Sequence, residues 1–196
     1  MVAQDAAALA TAVLAAEPRA GDVRLVCIDG PSGAGKTTLA AALAAELEAS
    51  VGPVPVVHGD DVYEGWDVAA GARDAVQAFG ILGDVLVRDL VQPWMRGEAG
   101  VCRTWDWHAA AWGAPRAVPA APVVLLEGVG LAGSALRPCA SLVVWLDADP
   151  AIRAARVADR DGAEVDAHMD RWRAREDAWH AADRTAEHAD VRIATG

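Results

Sequence analysis

The apolar residues of this chain fall into two kinds of run. Short runs with almost no polar interruption occur at 24–29, 54–58, 123–127 and 141–146, with a weaker one at 191–193. Such runs are the pattern of strands buried on both faces. Between them lie stretches with helical character at 3–16, 36–49, about 72–91, 150–160 and about 164–182. Pro18 with Gly21, Gly52 with Pro53, and Pro93 stop the first three. Asp147 and Asp149 stand just before Pro150 and suit the cap of the helix beginning there. Arg160-Asp161-Gly162 breaks the last two helices apart. The stretch 94–122 is rich in Gly, Pro, Arg and Trp and is expected to form irregular, substrate-facing loops.

Strands that alternate with helices imply an α/β fold, a parallel sheet of about five strands sandwiched by helices. No internal repeat or long linker divides the chain, and 196 residues suit one domain. The expected layout is an N-terminal helix (3–16) and a core (24–196) forming a single domain over 1–196.

With 54% hydrophobic residues the chain is not a disordered one. A net charge of −11 argues against broad nucleic-acid binding, so an anion must be held locally. Cys27, Cys102 and Cys139 are odd in number and dispersed, each beside apolar residues. Buried free thiols in a reducing compartment are expected. No run reads as a membrane span, and the apolar N-terminus lacks a basic region before it. A cytoplasmic protein, a monomer or homodimer without a membrane or nucleic-acid partner, is the expectation.

One detail of the charge count changes the picture. Of the 17 basic residues, Lys36 alone is lysine. It stands in Gly30-Pro-Ser-Gly-Ala-Gly-Lys-Thr37, which satisfies the phosphate-binding pattern GxxxxGK[ST] between a buried strand and a helix. The glycines allow successive backbone N–H groups to converge on one anion, and the following helix adds the partial positive charge of its N-terminus. Gly30, Ser32, Gly33, Ala34, Gly35, Lys36, Thr37 and Thr38 are the candidate nucleotide cradle, with Lys36 on the terminal phosphates and the Thr37 hydroxyl on Mg²⁺. Lysine is a compact point charge on a thin stem, which suits a tight loop better than the guanidinium fork.

Acids sit where such a cradle needs them. Asp60 and Asp61 follow the second strand, at the sheet edge where α/β folds bind ligands. Either can take a proton from an acceptor hydroxyl or complete a Mg²⁺ shell. Glu127 ends the third strand in the place of a metal-linked acid, so Thr37, Asp60 and Glu127 form the candidate metal set. Asp29, before the loop, reads as orienting either the loop or the acceptor, with a structural role as the alternative.

Arg103, Trp105, Asp106, Trp107 and His108 bring aromatic faces and polar atoms into one segment, as a base or ribose site would. Packing under a loop is the alternative. Tyr63 and Trp66 follow the Asp pair closely enough to line the same pocket. Trp172 and Trp179, seven apart, share a helix face and read as packing, and His58 reads as structural. Arg153, Arg156 and Arg160 recur at helical spacing, and in so acidic a chain they need either an anionic target or nearby acids.

The assembled order resembles the uridine kinase group of P-loop kinases, which includes phosphoribulokinase-like and pantothenate-kinase-like members. Asp60-Asp-Val-Tyr63 looks like the group's Asp-x-Phe-Tyr element, Trp105-Asp106 like its Tyr-Asp element, and Glu127-Gly128 like its Glu-Gly. The stretch from Arg156 to Asp161 resembles its lid, expected over about 156–166. Val62 departs from the pattern by replacing an aromatic residue, and the aromatic-rich segment also differs.

The resemblance implies an ATP- and Mg²⁺-dependent kinase acting on a hydroxyl of a small-molecule acceptor, with Asp60, Lys36, Arg156 and Arg160 catalytic. It favours Asp60 over Asp61 as base. Asp61, Tyr63, Trp66, Arg103, Trp105, Asp106, Trp107 and His108 would then face the acceptor, a nucleoside first. A nucleoside monophosphate or other small metabolite is the alternative acceptor, with Arg73, Arg103 or Arg116 available for its phosphate. A non-catalytic, nucleotide-binding regulatory protein is the reading from a different class.

Overall fold

A computed structural model describes residues 2–161 and 163–196. The first half holds α1 (Val2–Ala15), β1 (Arg24–Asp29), α2 (Lys36–Val51), β2 (Val56–His58), the single turn α3 (Gly59–Val62) and α4 (Ala75–Leu86). After α4 a π-helical turn at Val87–Val91 leads into the short α5 (Gln92–Trp94). Then follow β3 (Gly100–Asp106), β4 (Ala111–Val118), β5 (Val123–Glu127), β6 (Ala140–Asp147), α6 (Pro150–Asp161), α7 (Ala163–Asp183) and β7 (Val191–Ala194).

Five strands form one parallel sheet in the order β2-β5-β1-β6-β7. The apolar runs account for it, since parallel strands are covered on both faces. Side chains alternate along β1 as strand geometry requires. Leu25 and Cys27 enter a core with Phe79, Leu82, Trp172 and Trp179 of α4 and α7. Val26 and Ile28 enter the opposite core, with Leu9 and Val13 of α1 and Leu39, Leu43 and Leu47 of α2. Trp172 and Trp179 are thus packing residues, as their spacing predicts. β1 sits in the middle of the sheet, so whatever follows it emerges at the centre of the carboxyl edge.

Local chemistry sets the helix starts. Asp74 caps α4 by accepting from the Gln77 N–H at 2.8 Å, and Asp149 accepts from the Ala151 N–H at 2.8 Å at the head of α6. Cys27 and Cys102 are buried free thiols, whereas Cys139 is partly exposed. Among the described residues no helix is long and apolar enough to cross a membrane.

One expectation is corrected. Most of 94–122 is ordered, with β3 and β4 forming an antiparallel hairpin. Its strands escape a search for continuous apolar runs because they stabilise themselves by cross-strand pairs. Trp105 meets Trp112 edge-on at 5.1 Å, and the Arg103 guanidinium lies over the Trp112 ring. The turn is closed by Asp106 Oδ1, which accepts from the N–H groups of His108 and Ala109 at 2.9 Å each. In the lid expected over about 156–166, Gly162 and the side chains of 161–166 lie outside the described residues.

Candidate active site

The loop between β1 and α2 is built around backbone approaches that no side chain permits. Gly30 has φ 141°, and a Cβ there would stand 2.0 Å from the Leu146 carbonyl oxygen of β6. Gly33 has φ 78°, and its Cβ would stand 2.4 Å from the Arg153 carbonyl oxygen of α6. Glycine is therefore required at both. Lys36 is only 8% exposed and donates from Nζ to the carbonyls of Gly30 and Pro31 at 2.7 and 3.0 Å. Gly35, at φ 96°, precedes the first turn of α2, where Lys36, Thr37 and Thr38 follow.

Three elements distant in sequence hold this loop from outside. Glu176 of α7, 1% exposed, accepts from the Ser32 N–H at 2.9 Å and from the Ser32 hydroxyl. The Trp172 indole N–H donates to both the Ser32 hydroxyl at 2.9 Å and Glu176 at 2.5 Å. The Thr195 hydroxyl donates to the Ala34 carbonyl at 2.7 Å, and Arg156 donates to Thr195 at 3.0 Å and to the Gly33 carbonyl at 3.2 Å. Arg156 thus lies on the loop itself, and Arg160 is exposed further along α6.

Glu127, at the carboxyl end of β5, is 4% exposed. Its Oε1 accepts from the Thr37 hydroxyl at 3.1 Å and lies 2.6 Å from His58 Nδ1. Sheet register produces this cluster, because Glu127 is the Cα partner of His58 on one side and of Ile28 on the other. Asp29, one position further along β1, has a different task. Fully buried, it accepts from the N–H groups of Gly30 (2.7 Å), Gly130 (3.0 Å) and Ala132 (3.0 Å), and so ties the loop after β5 to the Gly30–Thr37 loop. Of the readings left open for Asp29, its contacts match the one in which it orients the loop.

Asp60 and Asp61 occupy α3 at the end of β2, with Asp60 exposed. The hairpin docks on this turn. The Trp107 indole N–H donates to the Asp60 carbonyl at 2.9 Å, and Arg116 donates to Asp61 Oδ2 at 3.3 Å. Trp66 gathers the neighbouring aromatics: it stacks on His168 at 4.9 Å and meets Trp107 and Trp172 edge-on at 5.3 and 6.0 Å. Asp67, next to it, accepts from Arg171 at 2.5 Å and Arg175 at 2.6 Å, pinning this segment to α7.

Some expected acceptor-facing residues are engaged elsewhere. Tyr63 is buried, and its hydroxyl donates to the Val129 carbonyl at 2.8 Å. Burial first, and the negative charge of Asp60 next, push its phenol well above the usual range, so it remains a donor. The Asp106 carboxyl is held below its usual range by the Ala109 and His108 N–H groups and closes the hairpin turn. Arg103 donates to the Gly113 and Trp112 carbonyls across the hairpin at 2.9 and 3.0 Å. Trp105 is paired with Trp112, and His108 is exposed in the turn.

Glu176, Thr195 and the Asp67–Arg171–Arg175 cluster were not legible beforehand. The only hint was that Trp172 and Glu176 are four apart, and so share a helix face.

The residues present fit Mg²⁺ with a nucleotide. That ion takes one or two protein oxygens and completes its shell with phosphate and water. The Thr37 hydroxyl and the Glu127 carboxylate at 3.1 Å form such a pair at the mouth of the loop. Among the described residues no group of three or more His, Cys, Asp or Glu is gathered for a metal.

No protein-family model matches this sequence, and no curated protein matches it. Solved structures do. What they share with this chain is the fold, an α/β sandwich with a five-stranded parallel sheet and, here, a glycine-rich loop after the central strand. A protein from Bacillus stearothermophilus described as a possible uridine kinase superposes with a TM-score of 0.70 at 24% identity, covering 98% of this chain and 100% of its own. A protein from Silicibacter described as a candidate fructose transport system kinase gives 0.60 at 24% identity, covering 96% and 98%.

Proposed function

We propose that this chain is an ATP- and Mg²⁺-dependent phosphotransferase acting on a hydroxyl of an uncharged small molecule, with nucleosides the first candidates. The observation that carries the reading is the pairing of Thr37 with Glu127 at the mouth of the phosphate loop. Asp60 stands exposed at the end of the adjoining strand.

In this reading the chain mainly positions and neutralises. Backbone amides of 30–38 and the Lys36 ammonium hold the phosphates. Bound Mg²⁺, held by Thr37 and Glu127 with Asp60 nearby, supplies positive charge to the phosphate oxygens. Asp60 accepts the proton of the acceptor hydroxyl as its oxygen forms a bond to the γ-phosphorus. The bond from that phosphorus to the bridging oxygen breaks, and ADP leaves. Arg156 and Arg160 on α6 add charge stabilisation as the phosphoryl group transfers.

An uncharged acceptor is favoured over a monophosphate by how the arginines are spent. Arg116 is bound to Asp61, Arg171 and Arg175 to Asp67, Arg103 to hairpin carbonyls, and Arg73 to Gln77. Uridine and fructose, the compounds in the descriptions of the two fold neighbours, are both uncharged and rich in hydroxyls. The test is ADP release from ATP·Mg²⁺ with uridine, cytidine, CMP and fructose as acceptors. Turnover with an uncharged acceptor supports the reading. Turnover with CMP alone moves the assignment to monophosphates, and nucleotide binding without stimulation by any acceptor favours a regulatory protein.

A further inference from the structure

His58 stands where the proposed chemistry has no obvious use for a histidine. It ends a short apolar strand, directly before Gly59 and Asp60. Parallel pairing of β2 with β5 sets it opposite Glu127, and its Nδ1 lies 2.6 Å from Glu127 Oε1. A carboxylate oxygen only accepts, so Nδ1 carries the hydrogen and donates it. The imidazole is about two-fifths exposed while Glu127 is almost wholly buried, so the ring forms the outer wall of the carboxylate's pocket. Both hydrogen bonds to this carboxylate, from His58 and from Thr37, fall on Oε1, and among the described residues none falls on Oε2.

We infer that His58 is a positioning residue that fixes the orientation of the Glu127 carboxylate toward the metal–nucleotide complex. The inference rests on the reading of Glu127 as a metal-linked acid. A glutamate has three side-chain torsions, and an untethered one samples several rotamers. Anchoring Oε1 on a strand-borne imidazole selects one and leaves Oε2 for the cation or its water. Hydrogen-bond partners behind a metal-linked group act in this way, and their removal costs about 10–100-fold in metal affinity or activity. Because His58 and Asp60 are two residues apart across Gly59, the same anchor ties the strand end bearing Asp60 to the strand end bearing Glu127. Gly59 lets these ends approach, since a Cβ there would stand 3.1 Å from Gly128 Cα and 2.2 Å from the Tyr63 hydroxyl oxygen.

The experiment compares wild type, His58→Ala, His58→Asn and Glu127→Gln in the full-length chain. Mn²⁺ binding to the complex with a non-hydrolysable ATP analogue is read by electron paramagnetic resonance, alongside kcat, acceptor KM and the Mg²⁺ half-saturation of turnover. Thermal unfolding without metal checks the fold. His58→Ala should weaken Mn²⁺ binding and raise the Mg²⁺ half-saturation about 10-fold or more, with acceptor KM little changed. His58→Asn places an amide N–H near the Nδ1 position and should recover most of the loss, which a role in packing alone would not explain. Mn²⁺ binding within twofold of wild type in His58→Ala, while Glu127→Gln loses it, overturns the positioning role and leaves the kinase reading intact. Unchanged Mn²⁺ binding in Glu127→Gln overturns the metal reading of Glu127, and the role of His58 with it. If His58→Ala does not fold, the comparison of His58→Asn with wild type decides, near-normal binding being expected and a 10-fold loss in a folded protein contradicting the inference.

Discussion

The Thr37 hydroxyl donates to Glu127 Oε1 across 3.1 Å, although the residues are 90 apart in the chain. One belongs to the first turn of α2 and the other to the last residue of β5, so only the β1–β5 pairing brings them together. If they serve one metal–phosphate complex, their losses should not add. Thr37→Ala and Glu127→Gln are each expected to lower kcat by about 100-fold or more, and the double variant by much less than the product. Steady-state kinetics on all four proteins checks this, with circular dichroism to confirm folding.

Asp60 and Asp61 should separate cleanly. Removing a general base costs about 10²–10⁴ in rate, so Asp60→Asn is expected to lose turnover by that factor and keep its affinity for ATP. Asp61 is paired with Arg116 at 3.3 Å with both side chains partly exposed, an arrangement worth no more than about 1 kcal/mol. Asp61→Asn should therefore change stability little and kcat by less than tenfold. Full turnover in Asp60→Asn with a verified acceptor would refute the base assignment.

Lys36 fills a narrow buried site against the Gly30 and Pro31 carbonyls. Lys36→Ala is expected to abolish transfer and leave the fold intact. Lys36→Arg should fail nearly as badly, because the planar guanidinium is wider than an ammonium. ADP release and a thermal melt test both.

Asp29 orients the Gly30–Thr37 loop by tying it to the loop after β5. Asp29→Ala leaves the N–H groups of Gly30, Gly130 and Ala132 without their acceptor in a buried place. At about 1–3 kcal/mol for each buried unsatisfied group, the expected loss of stability is about 3 kcal/mol or more, read as a shift in denaturant midpoint.

Acid should weaken the fold partly through Asp183. Burial raises its pKa, but hydrogen bonds from Arg137, Thr185 and the Ser134 N–H outweigh that and hold the carboxyl below its usual range. A depressed native pKa stabilises fully above the unfolded value of about 3.9 and is lost as pH falls through the native one. The stability advantage of wild type over Asp183→Asn should thus be constant from pH 7 to about pH 5 and shrink below pH 4. Denaturant melts at several pH values measure it.

Five strands and five of the helices were legible because continuous apolar runs and helix stops are local signals. β1 and β5 match the predicted runs end to end, and β6 differs by one residue at each end. The hairpin was not legible, because the pairing of Trp105 with Trp112 is a contact across the turn and neither strand is apolar throughout. Tyr63 shows a second limit. Its place after the Asp pair says nothing of where its hydroxyl points, and a carbonyl of the loop after β5 takes it.

The sequence by itself determined the strand–loop–helix unit of residues 24–51. Its requirements are met within that one segment: glycines for backbone curvature, one lysine in the GxxxxGK[ST] pattern and a helix start behind it. Tertiary structure decided what stands around it. Parallel register set His58 and Thr37 on the same oxygen of Glu127, and α7 brought Glu176 against Ser32. Such contacts span from tens of residues to more than a hundred. They depend on which strands neighbour β1 and on how α7 lies across the sheet, and these are properties of the packed whole that no local pattern encodes.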